Sequence, residues 1–182
     1  MRVGSCCSAL VLVLLLAVPA LAAPGDTHSF SVSLLGGVGG SPDVDPGDGF
    51  GNTGYQLNFS VVREPGTLVG VRVGRLDLTN KEQFGPLRKP FLDYALIGGE
   101  YLFNESYYIS GVFLGVGGYR LSGDLAGGRS DQETAFGGTL GLSGEFGLTQ
   151  SLAIRVEVAG HYADLEPTQV FGTAHAGLTL HF

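Results

Sequence analysis

From residue 29 onward, apolar and polar side chains alternate with a period of two through eight successive segments. Such alternation describes strands with one apolar and one polar face, and it is incompatible with a helical stripe. The segments run over residues 29–39, 54–62, 68–78, 91–103, 107–121, 135–148, 152–163 and 172–182. Most reach the roughly 9 to 11 residues that a tilted strand needs to cross a bilayer. The chain's 31 glycines recur inside apolar stretches. There they weaken a helix, but they suit bent strands and the crowded interior of a small barrel. The expected fold is all-β: an eight-stranded antiparallel up-and-down β-barrel with almost no helix. An even strand count closes both edges, which matters in lipid because an open backbone edge finds no partner there.

The connections alternate in length. Residues 64–67, 104–106 and 149–151 form turns of three or four residues, whereas 41–53, 79–90, 122–134 and 164–170 form loops of seven to thirteen. Short turns at one end and long loops at the other are expected of a transmembrane barrel with both termini periplasmic and its long loops extracellular.

The strand faces follow from the alternation. Phe136, Leu140, Leu142, Phe146 and Leu148 oppose Thr139, Ser143 and Glu145. On the next strand Leu152, Ile154, Val156, Val158 and Tyr162 oppose Arg155, Glu157 and His161. In the second segment Tyr55, Leu57, Phe59 and Val61 oppose Gln56, Asn58 and Ser60. A soluble barrel shows the same alternation with its apolar set inside, so the choice rests on the two ends of the chain and on the loop pattern. Segment 107–121 leaves its facing open. Tyr108, Val112, Leu114 and Val116 compete there with Ile109, Phe113 and Tyr119, and a β-bulge would reconcile them.

Arg2, the apolar run 9–18 and the small-x-small stretch Ala20-Leu21-Ala22 make residues 1–22 a cleavable secretory leader, cut before Ala23. Residues 23–182 then form one domain. Both cysteines, Cys6 and Cys7, fall in the leader, so the remainder carries no thiol chemistry. Setting Arg2 aside leaves nine basic residues against 17 acidic ones, a formal charge near −8 that argues against nucleic acid as a partner.

At the far end, Leu178, Leu180 and the terminal Phe182 share one face of the last strand. This ending resembles that of bacterial outer-membrane β-barrels, in which it is read by the barrel assembly machinery during insertion. It implies that Leu178, Leu180 and Phe182 form a membrane-assembly signal, and that the chain resides in a Gram-negative outer membrane among lipids and lipopolysaccharide.

The most specific constellation is the hairpin from Gly144 to Val158. Pairing Leu148 with Leu152 across the turn places Phe146 opposite Ile154, Glu145 opposite Arg155 and Ser143 opposite Glu157. A lone carboxylate in a narrow lumen is costly, so Glu145 calls for the charge-assisted partner that Arg155 supplies. The hairpin resembles the transmembrane domain of outer membrane protein A and its small-barrel relatives. These carry a lumen Glu before an outward aromatic, a short Thr-containing turn, and an Arg-apolar-Glu return strand. The residue match covers Glu145 to Glu157, and the architectural match covers the barrel. The resemblance implies that Glu145 and Arg155 belong to a buried ionic network. Gly99-Glu100-Tyr101 echoes the motif, and Arg72 lies at similar depth, which suggests a second pair, Arg72 with Glu100. The chain departs from the family in having no Trp and no peptidoglycan-binding extension, which argues against a wall-tethering role.

Other candidate sites are weaker. Asp43, Asp45 and Asp48 before Gly49 offer oxygen ligands, but at a spacing unlike an EF-hand, so a solvated acidic loop is expected. His161 and His175 would face each other if the last hairpin centred on Thr168, yet two imidazoles fall short of a metal site. Lipid A hydrolysis would need a Ser, His and carboxylate in concert. His161 is followed by Tyr162 and Ala163, and His175 by Ala176 and Gly177, so no triad is recognised. Loop residues Lys81, Glu82, Phe84, Arg88, Lys89, Asp124, Arg129, Asp131 and Glu133 are positioned to touch a surface ligand. The reading is a structural or surface-interacting envelope barrel with a side-chain-filled lumen and no catalytic residues, cofactor or metal. A narrow ion-conducting barrel and a lipid A-modifying enzyme are the alternatives.

Overall fold

The computed structural model describes residues 29–41, 51–78, 87–104, 108–125, 130–166 and 169–182. The leader, the Asp43–Asp48 cluster, Lys81, Glu82, Phe84, Arg129 and the side chain of Arg88 lie outside the described residues. Eight strands follow one another: β1 (Phe30–Gly40), β2 (Asn52–Glu64), β3 (Thr67–Asp77), β4 (Leu87–Asn104), β5 (Ile109–Leu125), β6 (Ser130–Gly147), β7 (Leu152–Ala163) and β8 (Val170–His181). Each pairs antiparallel with its neighbours in sequence, and β1 pairs with β8 from Ser31↔His181 to Gly40↔Gly172, closing the barrel.

The alternation sorts side chains in the inverted sense. Leu140, Leu142, Leu114, Val158 and Leu34 are more than 60% exposed on the outer wall, while Asn58, Arg72, Glu100, Arg155 and Glu157 are almost wholly buried inside. A water-soluble barrel would exchange the two sets. Segment 107–121 needs no bulge: β5 holds one register with β6 throughout, with Leu114 and Val116 outward and Phe113 and Tyr119 inward.

Aromatic side chains ring the outer wall at the turn end. Phe30 stacks on Phe182 at 4.9 Å and leans on Phe59 at 6.0 Å, and Tyr108 stacks on Phe146 at 5.8 Å. The turns there are tight. Pro65 and Gly66 alone join β2 to β3, and Gly66 at φ 81° occupies the left-handed region that glycine enters without a Cβ clash. In the β6–β7 turn the Thr149 hydroxyl accepts hydrogen bonds from the amides of Ser151 (3.3 Å) and Leu152 (3.0 Å). These bonds replace ladder bonds that the turn forgoes.

At the opposite end the strands run beyond the expected segments. β5 continues to Leu125 and β6 starts at Ser130, pairing Asp124 with Ser130, so residues 122–125 and 130–134 of the expected loop are strand. β4 starts at Leu87, with a register break between Arg88 and Phe91 and Lys89 at φ 49°. Backbone pairing continues there after the apolar alternation has stopped, which is why hydrophobic periodicity undercounts these strands.

Candidate functional site: the barrel lumen

The lumen has two layers. Toward the loops lies an apolar cluster of Leu76, Leu78, Leu92, Leu96, Leu121, Leu165 and Phe171 with Tyr94 and Tyr119. Tyr94 stands in register with Gly74, and Phe113 with Gly141. In each case a Cβ on the glycine would run into the aromatic ring, so the bare backbone is what admits a large ring into so narrow a tube.

Toward the turns lies an ionic layer. Arg155 is its hub, with its side chain 5% exposed. Its Nη2 donates to both oxygens of Glu100 at 2.6 Å, its Nε to Glu157 at 2.7 Å and its Nη1 to Glu145 at 3.3 Å. Arg72 donates from Nη2 to Glu100 at 2.8 Å and lies 3.8 Å from Glu157. Its guanidinium also sits 4.0 Å from the centre of the Phe113 ring. Neutral donors complete the shell: Ser143 Oγ donates to Glu100 at 2.5 Å, and Gln56 and Asn58 donate to Glu157 at 2.6 and 3.0 Å. Tyr94 donates to Gln56 at 2.7 Å and so ties the apolar layer to the ionic one.

All five ionisable residues singled out in the sequence therefore meet in one cluster. Glu145 is in register with Arg155, and Ser143 with Glu157. The shortest contacts of Arg155, however, go to Glu100 and not to its hairpin neighbour. Hairpin register reports only neighbours along the wall, whereas in an eight-stranded barrel a long side chain reaches across the interior. Arg72 and Glu100 join diagonally: the register partner of Arg72 is Leu96, and that of Glu100 is Leu68. His181, which the sequence reading passed over, places Nε2 2.6 Å from Glu145 at the turn-side mouth. Its inward parity on the last strand, shared with Thr179, was the available signal.

His161 and His175 both point into the lumen but are not register partners. His161 pairs with Phe171, and His175 with Glu157, because the last hairpin centres on Glu166 and not on Thr168. His161 is held between Tyr119 Oη (3.1 Å) and Thr173 Oγ1 (3.1 Å). Among the described residues no group of three or more His, Cys, Asp or Glu is arranged to hold a metal.

An apolar wall outside, a charged layer inside and closure through β1 and β8 are the features that decide the architecture. The fold is that of the small outer-membrane β-barrels. Neisserial surface protein A superposes with a TM-score of 0.68 at 15% identity, covering 86% of this chain and 100% of that one. The N-terminal barrel of Pseudomonas aeruginosa OprF gives 0.60 at 11% identity, covering 86% and 100%. Ail, the attachment invasion locus protein of Yersinia pestis, gives 0.55 at 15% identity, covering 85% and 97%, and has also been solved with the heparin analogue sucrose octasulfate. No protein-family model and no curated protein sequence matches the chain.

Proposed function

We infer that this protein is a structural barrel of a Gram-negative outer membrane, delivered by a leader at residues 1–22, with both termini and the short turns periplasmic and the long loops at the cell surface. The observation that carries the reading is the pairing of an apolar outer wall with a lumen of buried, ion-paired arginines and glutamates. Lipid is the solvent that makes this arrangement favourable. The terminal face of Leu178, Leu180 and Phe182 serves as the insertion signal. In support of that role, Phe182 stacks on Phe30, its backbone oxygen accepts from the amides of Ser29 and Phe30, and its amide donates to the Phe30 carbonyl.

The lumen network acts as a strut. Buried ion pairs specify arrangement more than they add stability, and here Arg155 links strands that are not neighbours. Conduction is disfavoured because Phe171, Tyr119, Leu76, Leu92 and Leu121 fill the loop-side half of the bore. Catalysis is disfavoured because Glu100, Glu145 and Glu157 are each held by arginine, and His161 is engaged by Tyr119 and Thr173.

Deletion of the gene in its own host, with fractionation of the membranes, tests the reading. The protein should sediment with the outer membrane, and its loss should sensitise cells to detergent and to large antibiotics. Recovery in the soluble periplasm, or an altered lipid A mass spectrum with intact barrier function, would count against it.

A further inference from the structure

The outer wall carries a charged row that neither the lumen network nor the membrane anchoring uses. Arg75 on β3, Asp93 on β4 and Arg120 on β5 stand in register on three adjacent strands, all facing outward near the loop end. Asp93 Oδ1 accepts from Arg75 Nε at 2.6 Å, and Oδ2 accepts from Arg75 Nη2 at 3.0 Å and from Arg120 Nη2 at 2.6 Å. Arg75 also lies 4.1 Å from the centre of the Phe91 ring. Two guanidiniums are thus fixed by one carboxylate, with Asp77 close enough to Arg75 to act on it as a second negative charge.

The position of the row is as informative as its charge. Toward the turns the same faces continue as Val73, Ile97 and Val116, which are 47–60% exposed and belong to the apolar wall. Toward the loops the next outward acids are Asp77 and Asp124. The arginines therefore lie at the upper margin of the apolar wall, where lipid headgroups begin. Among the described residues, Arg75 Nη1 and Arg120 Nε and Nη1 donate no hydrogen bond within the protein. Tyr55, in register with Arg75 and 53% exposed, adds a hydroxyl beside them.

We propose that Arg75 and Arg120, held by Asp93, form a binding site on the barrel's outer wall for the phosphate of a phosphorylated outer-leaflet glycolipid of the lipid A class. The proposal rests on the membrane reading above. A planar guanidinium matches the phosphate oxygens in pairs, and the neighbouring apolar wall receives the acyl chains. The carboxylate keeps the two arginines from repelling each other and aims their free edges outward.

The test uses the full chain, expressed in a Gram-negative host, extracted in detergent and stripped of lipid. Native mass spectrometry then titrates it with bisphosphorylated lipid A and, separately, with dephosphorylated lipid A. The wild type should bind the phosphorylated form at least tenfold more tightly. Arg75→Gln with Arg120→Gln should abolish that preference, whereas Arg63→Gln, which removes the same charge at the turn end, should leave it intact. Should the double variant lose its heat-dependent gel shift, Arg120→Gln alone should still weaken the phosphorylated form about tenfold. Equal binding of the two glycolipids by a wild type that retains the gel shift would overturn the site alone. So would a preference that survives the double variant, or one lost equally in Arg63→Gln. A wild type that neither associates with membranes nor shifts on heating would overturn the membrane reading and the site together.

Discussion

Arg155 and Glu100 meet across the barrel interior, with Nη2 of the arginine 2.6 Å from each carboxylate oxygen, although 55 positions separate them in the chain. The contact joins β7 to β4, strands that share no backbone hydrogen bonds, so it braces the tube across its width.

Removing this brace should be severe. Arg155→Ala leaves Glu100 and Glu157 with Arg72 and Glu145 with His181, at an expected cost of about 3–5 kcal/mol. Urea unfolding in phosphatidylcholine vesicles, followed by the gel shift, measures it. Arg155→Lys should recover only part of the loss, because one ammonium cannot serve three carboxylates from a planar fork.

Coupling within the network should follow contact and not hairpin register. A double-mutant cycle on Glu100 and Arg155 should return a larger interaction energy than one on Glu145 and Arg155, whose contact is 3.3 Å. Equal coupling, or additivity in both cycles, would contradict the cross-lumen geometry.

Packing between the two lumen layers is tight at Gly74. Gly74→Ala drives a methyl into the Tyr94 ring and should cost about 1–3 kcal/mol by overpacking. Tyr94→Phe removes only the hydrogen bond to Gln56 and should cost about 1 kcal/mol. Thermal or urea unfolding of the two variants side by side checks the order.

Leu140 lies midway along the apolar part of β6 and is 62% exposed. Leu140→Arg should cost about 2–4 kcal/mol in a bilayer, and Leu148→Arg, at the turn end, no more than about 1 kcal/mol. Refolding equilibria in vesicles measure both, and the absence of any depth dependence would argue against lipid on this face.

Much of the architecture was legible because a strand half immersed in lipid and half in a packed lumen must alternate strictly. β7 was recovered residue for residue at 152–163, and Glu145 opposite Arg155 followed from counting back through a short turn. The continued pairing of β5 with β6 as far as Asp124 and Ser130 was not legible, because beyond the apolar band neither face needs to be apolar. The choice of Glu100 as the closest partner of Arg155 depends on how far a side chain reaches across the bore. Local pairing carries no trace of that distance, nor of the approach of His181 to Glu145. The facing of β5 was ambiguous because both of its faces are apolar. Its inward set packs Phe113 under the Arg72 guanidinium and Tyr119 into the loop-side cluster.

The central claim is that the apolar face meets lipid. Its most direct test is to mix the unfolded protein with phosphatidylcholine vesicles, float the vesicles, and run the floated fraction unheated and boiled in SDS. Flotation with a faster-migrating unheated band that reverts on boiling is the predicted result. A protein that stays in the aqueous fraction, migrates identically before and after boiling and remains soluble without detergent would contradict it.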